Sequence, residues 1–329
     1  MLKVAQIGIG HDHAPATFLS LAKQANIFTV AGFALPEGEK EAFSNKLSCF
    51  EGFKEMTVEE ILNDPEIQAV TIETAEIHLS KYASLALMHG KSVHMDKPGG
   101  LSLADFEALI KTAKEKDAVL HLGYMYRYNP YVKELLARIK AGELGEIFSV
   151  EAQMNCRHTP EKRQWLETFP GGMMFFLGCH LIDLILQIQG KPERIIPLNK
   201  STGIDSVRAD DFGMAVFEYK NGISFAKTCA EEMGGFARRQ LVVSGSKATV
   251  ELKPLEMQLG DGQYTRKTEY KGQDWQDAGD SADSPPYDRY DGMLACFARM
   301  AKGEIKNPYT PDYELELYKT VLIACGVEI

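Results

Sequence analysis

The sequence predicts an α/β protein: an N-terminal Rossmann-type, doubly wound parallel sheet, then an α+β domain with a largely antiparallel, open sheet. Three observations predict it. Over residues 1–122, short runs rich in Val and Ile alternate with helical stretches, the pattern of a parallel sheet covered on both faces. After Gly123, strand patterns follow one another, with a strong hairpin turn at Asn221-Gly222. A chain of 329 residues is also too long for one ordinary domain and suits two.

The expected strands of the first domain are LKVAQIG, IFTVAGFAL, QAVTIET, SVHMD and AVLHLG. Thr57 with Glu60 makes a capping box before one helix, and Ser102 with Asp105 does so before another. Gly90 follows a helix expected to end at His89, where a left-handed residue is needed. Right-handed crossovers place ligands at the carboxyl ends of the strands. The second domain is expected to span residues 123–329. Asn129 and Pro130 start a helix reaching about Ala141. A strand near GEIFSVEAQMN follows, then a long helix in GGMMFFLGCHLIDLILQIQG. RIIPL, FGMAVFEY, ISFAKTCA, RRQLVVSG and ATVELK read as strands, and residues 271–286 as a loop. Helices near 287–302 and 312–326 close the chain, the last expected to pack back towards the first domain.

Composition narrows the function classes. The apolar fraction of 45% supports real cores, and a charged fraction of 25% is average. A net charge of −10 without a Lys/Arg cluster argues against nucleic acid. The longest apolar runs are strand length, so no membrane partner is expected. The six cysteines (49, 156, 179, 229, 296, 325) form no C-x-x-C pair and read as free thiols. With no leader pattern at the N-terminus, a cytoplasmic protein is expected.

The first strand runs into GIGHDH, residues 8–13. In a dinucleotide loop the first glycine allows the turn, the second admits the pyrophosphate, and the third lets the helix pack closely. Gly8 and Gly10 keep the first two jobs; His13 stands where the third is expected. Backbone around Ile9 and the helix N-terminus still offer N–H groups to phosphate. His11, Asp12 and His13 are read as cap and solvent contacts, with no metal expected. The acid that normally bonds the ribose is missing at about Ala34, and Glu37 stands three residues on. No arginine is near to hold a 2′-phosphate, so NAD is favoured over NADP.

SVHMD runs into KPGG, which puts Asp96 and Lys97 on the ligand rim. Pro98 restricts Lys97 and aims its ammonium, which can stabilise charge on a substrate oxygen. Phe176, His180 and Asp183 fall at i, i+4 and i+7 of the long helix and share one face. An imidazole titrating near 6.5 suits proton passing, and Asp183 can orient it. From this helix alone, a packed core histidine is the alternative.

These pieces, in this order, resemble the Gfo/Idh/MocA family of oxidoreductases. VAQIGIG is similar to its opening strand and loop. TAEIHLSKYASLALMHGKSVHMDKPGG resembles its T-P-x-x-x-H … E-K-P run, with Asp96 for the usual Glu. GYMYRYNP, GELGEIFSV, GGMMFFLGCHLID and DDFGMAVFEYKNGISF follow in family order. The resemblance implies a nicotinamide cofactor, with Thr74, Ala75 and His78 in its binding run. It implies that Lys97 and His180 flank the substrate carbon that gives or takes hydride. By the same analogy Tyr126, Arg127, Arg163 and Trp165 line the cleft, and Phe176 replaces a family carboxylate. A Phe there shifts expectation from a sugar or polyol substrate towards a less hydroxylated one. It also opens a second reading, a catalytically lapsed member that senses a nucleotide or sugar. The second domain's sheet is expected to form a homodimer or homotetramer.

Overall fold

The computed structural model describes residues 1–260, 262–272 and 274–329. It divides into two compact units: Met1–Tyr124 with Tyr290–Tyr318, and Met125–Arg289 with Lys319–Ile329.

In the first unit, β1 (Leu2–Ile7), β2 (Phe28–Ala34), β3 (Ala69–Ile72), β4 (Ser92–Met95) and β5 (Leu120–Leu122) form a parallel sheet. Its order is β2-β1-β3-β4-β5. The order reverses between β1 and β3, which opens a crevice at their carboxyl ends. The connecting helices are α1 (Ala14–Lys23), α2 (Glu39–Ala42), α3 (Val58–Asn63), α4 (Leu79–Met88) and α5 (Leu103–Lys116). The Thr57–Glu60 capping box is fully formed, and Ser102 accepts from the Asp105 N–H. Gly90 has φ +72°, as its place after α4 requires.

The sequence pattern alone ends this domain at residue 122. The structure adds residues 290–318, because a later helix completes its core. Leu294, Phe297 and Ala298 pack with Leu2, Val4, Phe28 and Ala69. A sheet in the middle of a unit needs an apolar cover on both faces, and the local chain cannot supply all of it.

The second unit begins with α6 (Pro130–Lys140), capped by Asn129, then β6 (Ile147–Asn155), α7 (Pro160–Trp165) and α8 (Cys179–Gln189). Strands β7 (Arg194–Lys200), β8 (Phe212–Tyr219), β9 (Gly222–Cys229), β10 (Gln240–Gly245) and β11 (Thr249–Leu252) follow. β12 (Met257–Leu259) pairs with β13 (Gly262–Tyr264). β14 (Arg266–Tyr270) and β15 (Asp280–Asp283) complete the larger sheet, ordered β15-β14-β11-β10-β6-β9-β8-β7. Its pairs are antiparallel except β6 with β9. The Asn221-Gly222 turn joins β8 to β9, with Tyr219 opposite Gly222.

Two expectations are corrected. Residues 271–286 are not all loop. β15 lies among them, its polar residues held by β14 through Arg266–Asp283; residue 273 lies outside the described residues. The long helix is not uniform either. Met174–Gly178 form a π-helical turn before α8, which changes the angular offset between Phe176 and His180. The chain ends with α9 (Asp291–Ala301) and α10 (Pro311–Ala324). Among the described residues all six cysteines are free, and no helix is long and apolar enough to cross a membrane.

Candidate active site

The crevice of the first unit is lined by the loops after β1 and β3. They approach so closely that only glycine fits. A Cβ on Gly8 would sit 2.4 Å from the Thr74 nitrogen, and one on Gly10 2.3 Å from that of Ala75. The Ile9 and Ala75 N–H groups donate to opposite oxygens of the Glu39 carboxylate, at 2.7 and 2.8 Å. The Gly10 N–H points to the same group. Burial pushes the Glu39 carboxyl up, against the pull of these N–H groups. From the other side Lys46 donates to the carbonyls of Gly10 and His11, at 3.1 Å each.

The sequence points to Ala34 or Glu37 as the place of the ribose acid, not to Glu39. Ala34 ends β2 buried, its carbonyl taken by the Gly8 N–H. Glu37 turns outward to Lys81 and the Tyr82 hydroxyl. Its φ of +59° and the short α2 redirect the chain, so the acid two residues later enters the crevice. The ExE spacing was the available signal. The converging N–H groups hold the Glu39 carboxylate in place, and its remaining lone pairs can accept from a pair of hydroxyls while its charge repels an anion. That acceptor fits the ribose of a dinucleotide.

At the carboxyl end of β4, Lys97 is fully buried rather than a surface lysine. Its N–H donates to Asp96 Oδ1 at 2.7 Å. Asp96 Oδ2 faces Nδ1 of both His11 and His13, at 3.0 Å each. The two histidines are thus not mere cap and solvent contacts: His11 is fully buried and His13 half-buried. The tight turn at Gly8–Gly10 folds the loop towards β4 rather than out to water. Burial lowers His13 to about 4. Burial would raise Asp96, but the imidazoles against it outweigh that and hold it well below the usual carboxylate range. Glu73, at the end of β3, is fully buried and pushed well up by burial and by Asp96. A charged residue closing the apolar run QAVTI was the signal for it. Thr74 is buried against Gly8, and His78 leads into α4.

In the second unit His180 is buried, with the Tyr126 ring edge-on at 5.4 Å. Asp183 does not orient it. Arg127 takes that carboxylate with a two-pronged contact, Nε–Oδ2 2.9 Å and Nη2–Oδ1 2.8 Å, and Gln187 adds a third bond. A guanidinium fork matches a carboxylate better than an imidazole does. The Tyr126 hydroxyl donates to Glu256 at 2.6 Å. Arg239, Arg289 and Gln263 converge on the same carboxylate. Arg163 is fully buried and paired with Asp211, Asp205 and Glu231, so it braces the scaffold instead of lining a cleft. Phe176 is buried among Trp165 and Phe169.

This arrangement has relatives. Residues 2–124 match the oxidoreductase family with an NAD-binding Rossmann fold, and residues 132–251 match the GFO/IDH/MocA C-terminal domain. The chain belongs to the Gfo/Idh/MocA family of oxidoreductases. It is 26% identical over 200 residues to the trans-1,2-dihydrobenzene-1,2-diol dehydrogenase of Bos taurus, covering 59% of this chain and 57% of that protein. It is 33% identical over 143 residues to the oxidoreductase YhhX of Escherichia coli K12, covering 42% and 40%. The chain therefore spans about half the length of these curated relatives. In fold it is similar to KijD10, a 3-ketoreductase of Actinomadura kijaniata solved with NADP and TDP-benzene. That match has a TM-score of 0.79 and 16% identity, covering 97% and 95% of the two chains. An oxidoreductase of Thermotoga maritima matches with a TM-score of 0.78 and 14% identity, covering 98% and 95%.

Proposed function

We propose that this protein is an NAD(P)-dependent oxidoreductase acting on a secondary alcohol or carbonyl of a small, sugar- or polyol-like molecule. The observation that carries the reading is the crevice seat: the Ile9, Gly10 and Ala75 N–H groups converging on Glu39. In this reading Glu39 is the ribose-binding acid, and its charge favours NAD by repelling a 2′-phosphate. When bound, the cofactor supplies or accepts hydride. Lys97 is the group to hold a substrate oxygen and stabilise its charge, and His180 is the second unit's candidate proton carrier. The apolar setting of Phe176 favours a substrate with few hydroxyls there.

Lys97→Met tests the reading. We expect turnover to fall by about 10²–10⁴, with dinucleotide affinity changed only a few-fold. Unchanged turnover on an accepted substrate refutes the role. A second reading, a lapsed member acting as a sensor, is favoured by one observation: Glu39 already satisfies the N–H groups that a ligand would use. Thermal shift with NAD, NADH, NADP and NADPH separates the two. Stabilisation by a reduced dinucleotide supports the enzyme, and no response to any of the four supports the sensor.

The reading includes self-association through the larger sheet. Its less buried face carries Met214, Val216, Ile223, Phe225 and Val242, with Val216 paired to Phe225. A solvent face is ordinarily polar, and a second copy of the chain would cover this one. Light scattering in solution checks it; a monomer at all concentrations ends the idea.

A further inference from the structure

The loop after β1 carries two imidazoles that the proposed chemistry does not use. His11 Nδ1 and His13 Nδ1 both lie 3.0 Å from the same oxygen, Asp96 Oδ2. One ligand atom from each of these residues lies within 4.8 Å of the others. An ion bound at about 2.0–2.2 Å from each ligand needs neighbouring donors a little over 3 Å apart, so small rotations suffice.

The hydrogen bonding around the trio is frustrated. His11 Nδ1 accepts the His13 N–H at 3.2 Å, so it keeps a lone pair there. That lone pair stands 3.0 Å from a carboxylate oxygen, and one nitrogen cannot accept from His13 and donate to Asp96 at once. A cation between nitrogen and oxygen removes the conflict.

A second, independent observation is the lining. Neither oxygen of the fully buried Glu73 has a well-formed hydrogen bond, nor has Glu76 Oε1 or His11 Nε2. The last two face each other at 3.8 Å. Metal-bound histidines normally give their distal N–H to a carboxylate, which sets the ring; Glu76 stands at that position for His11. Lys46 and Lys97 are nearby cations. Lys46 already serves loop carbonyls, and a divalent ion brings more charge and a fixed set of coordination positions to two imidazoles and a carboxylate than an ammonium does.

We propose that His11, His13 and Asp96 bind a divalent first-row transition-metal ion, of the class that takes two imidazoles and a carboxylate, as zinc and cobalt(II) do. His13 is the partly exposed ligand, so the ion's open position lies on its side. The ion ties the β1–α1 loop to the end of β4, where close packing on a third glycine would otherwise hold that loop. Glu76 is a positioning residue for His11.

The test uses the full chain, stripped with chelator and titrated with Co²⁺ alone. We expect one equivalent to bind with visible ligand-field absorption, to be displaced by Zn²⁺, and to raise Tm. His13→Gln and His11→Gln should each remove the absorption. Glu76→Gln should weaken binding by about 10–100-fold while keeping the spectrum. His13→Asn, at the half-buried position, guards against a folding defect, with apo Tm as control. No binding by the wild-type chain overturns the proposal, as does the same absorption retained in both histidine variants.

Discussion

The crevice of the first unit and the charged centre of the second handle buried ionisable groups in opposite ways. In the second unit every carboxylate at the centre is matched. Glu256 receives Arg239, Arg289, Tyr126 and Gln263. Burial would raise its pKa, but the two guanidiniums outweigh it and hold it down. Asp183 is paired with Arg127 through both of its oxygens. In the crevice, Glu73 is pushed up and His94 is lowered to about 4, both chiefly by burial, and several polar atoms make no hydrogen bond. A matched network braces a scaffold. An unmatched one marks a place kept ready for something else.

The sharpest way to break this contrast is Glu256→Gln. Removing the charge leaves Arg239 and Arg289 facing a neutral amide, and we expect a loss of about 3–5 kcal/mol in urea unfolding. A loss under 1 kcal/mol would mean that the network is not a brace. Cys156, beside Arg239, comes next. Burial pushes its thiol from 9.0 to about 12. A raised acid pKa stabilises the fold below pH 9, and that stability drains away as pH climbs towards 12. Relative to Cys156→Ala, the wild type should lose about 1.4 kcal/mol for each pH unit above 9. Equal pH dependence in the two proteins counts against it.

Within the crevice, Glu39→Gln should weaken NAD binding about tenfold, near 1.4 kcal/mol, as read by calorimetry. Tighter binding instead would identify Glu39 as a plug and favour the sensor reading. The smallest effect concerns the periphery, where both units follow ordinary rules. Thr57→Ala removes the α3 capping box and should cost about 1 kcal/mol in thermal unfolding. No measurable cost would mean that α3 frays without consequence.

Much of the architecture was readable along the chain. Strand and helix periods, the Thr57 and Asn129 caps and the Asn221-Gly222 turn are local, so neighbouring residues announce them. The site was readable only in part. Lys97 can be placed at a strand end because Pro98 flanks it, and His180 on a helix because a face can be drawn. Glu39 was missed because a positive φ at Glu37 redirected the chain. Asp183 was given to His180 because the two share a helix, whereas its partner Arg127 lies 56 positions away. β15 was missed because its four exposed residues carry no apolar pattern.

By itself, the sequence determined the order of elements, the two glycines that let the loops after β1 and β3 meet, and the placing of a lysine at a strand end. These depend on backbone sterics and on periodicity, which act over a few residues. The tertiary structure alone decided that residues 290–318 finish the first unit's core, which acid enters the crevice, and that two histidines converge on Asp96. Burial and pairing are properties of neighbours in space, and chain folding chooses those neighbours by packing the whole unit.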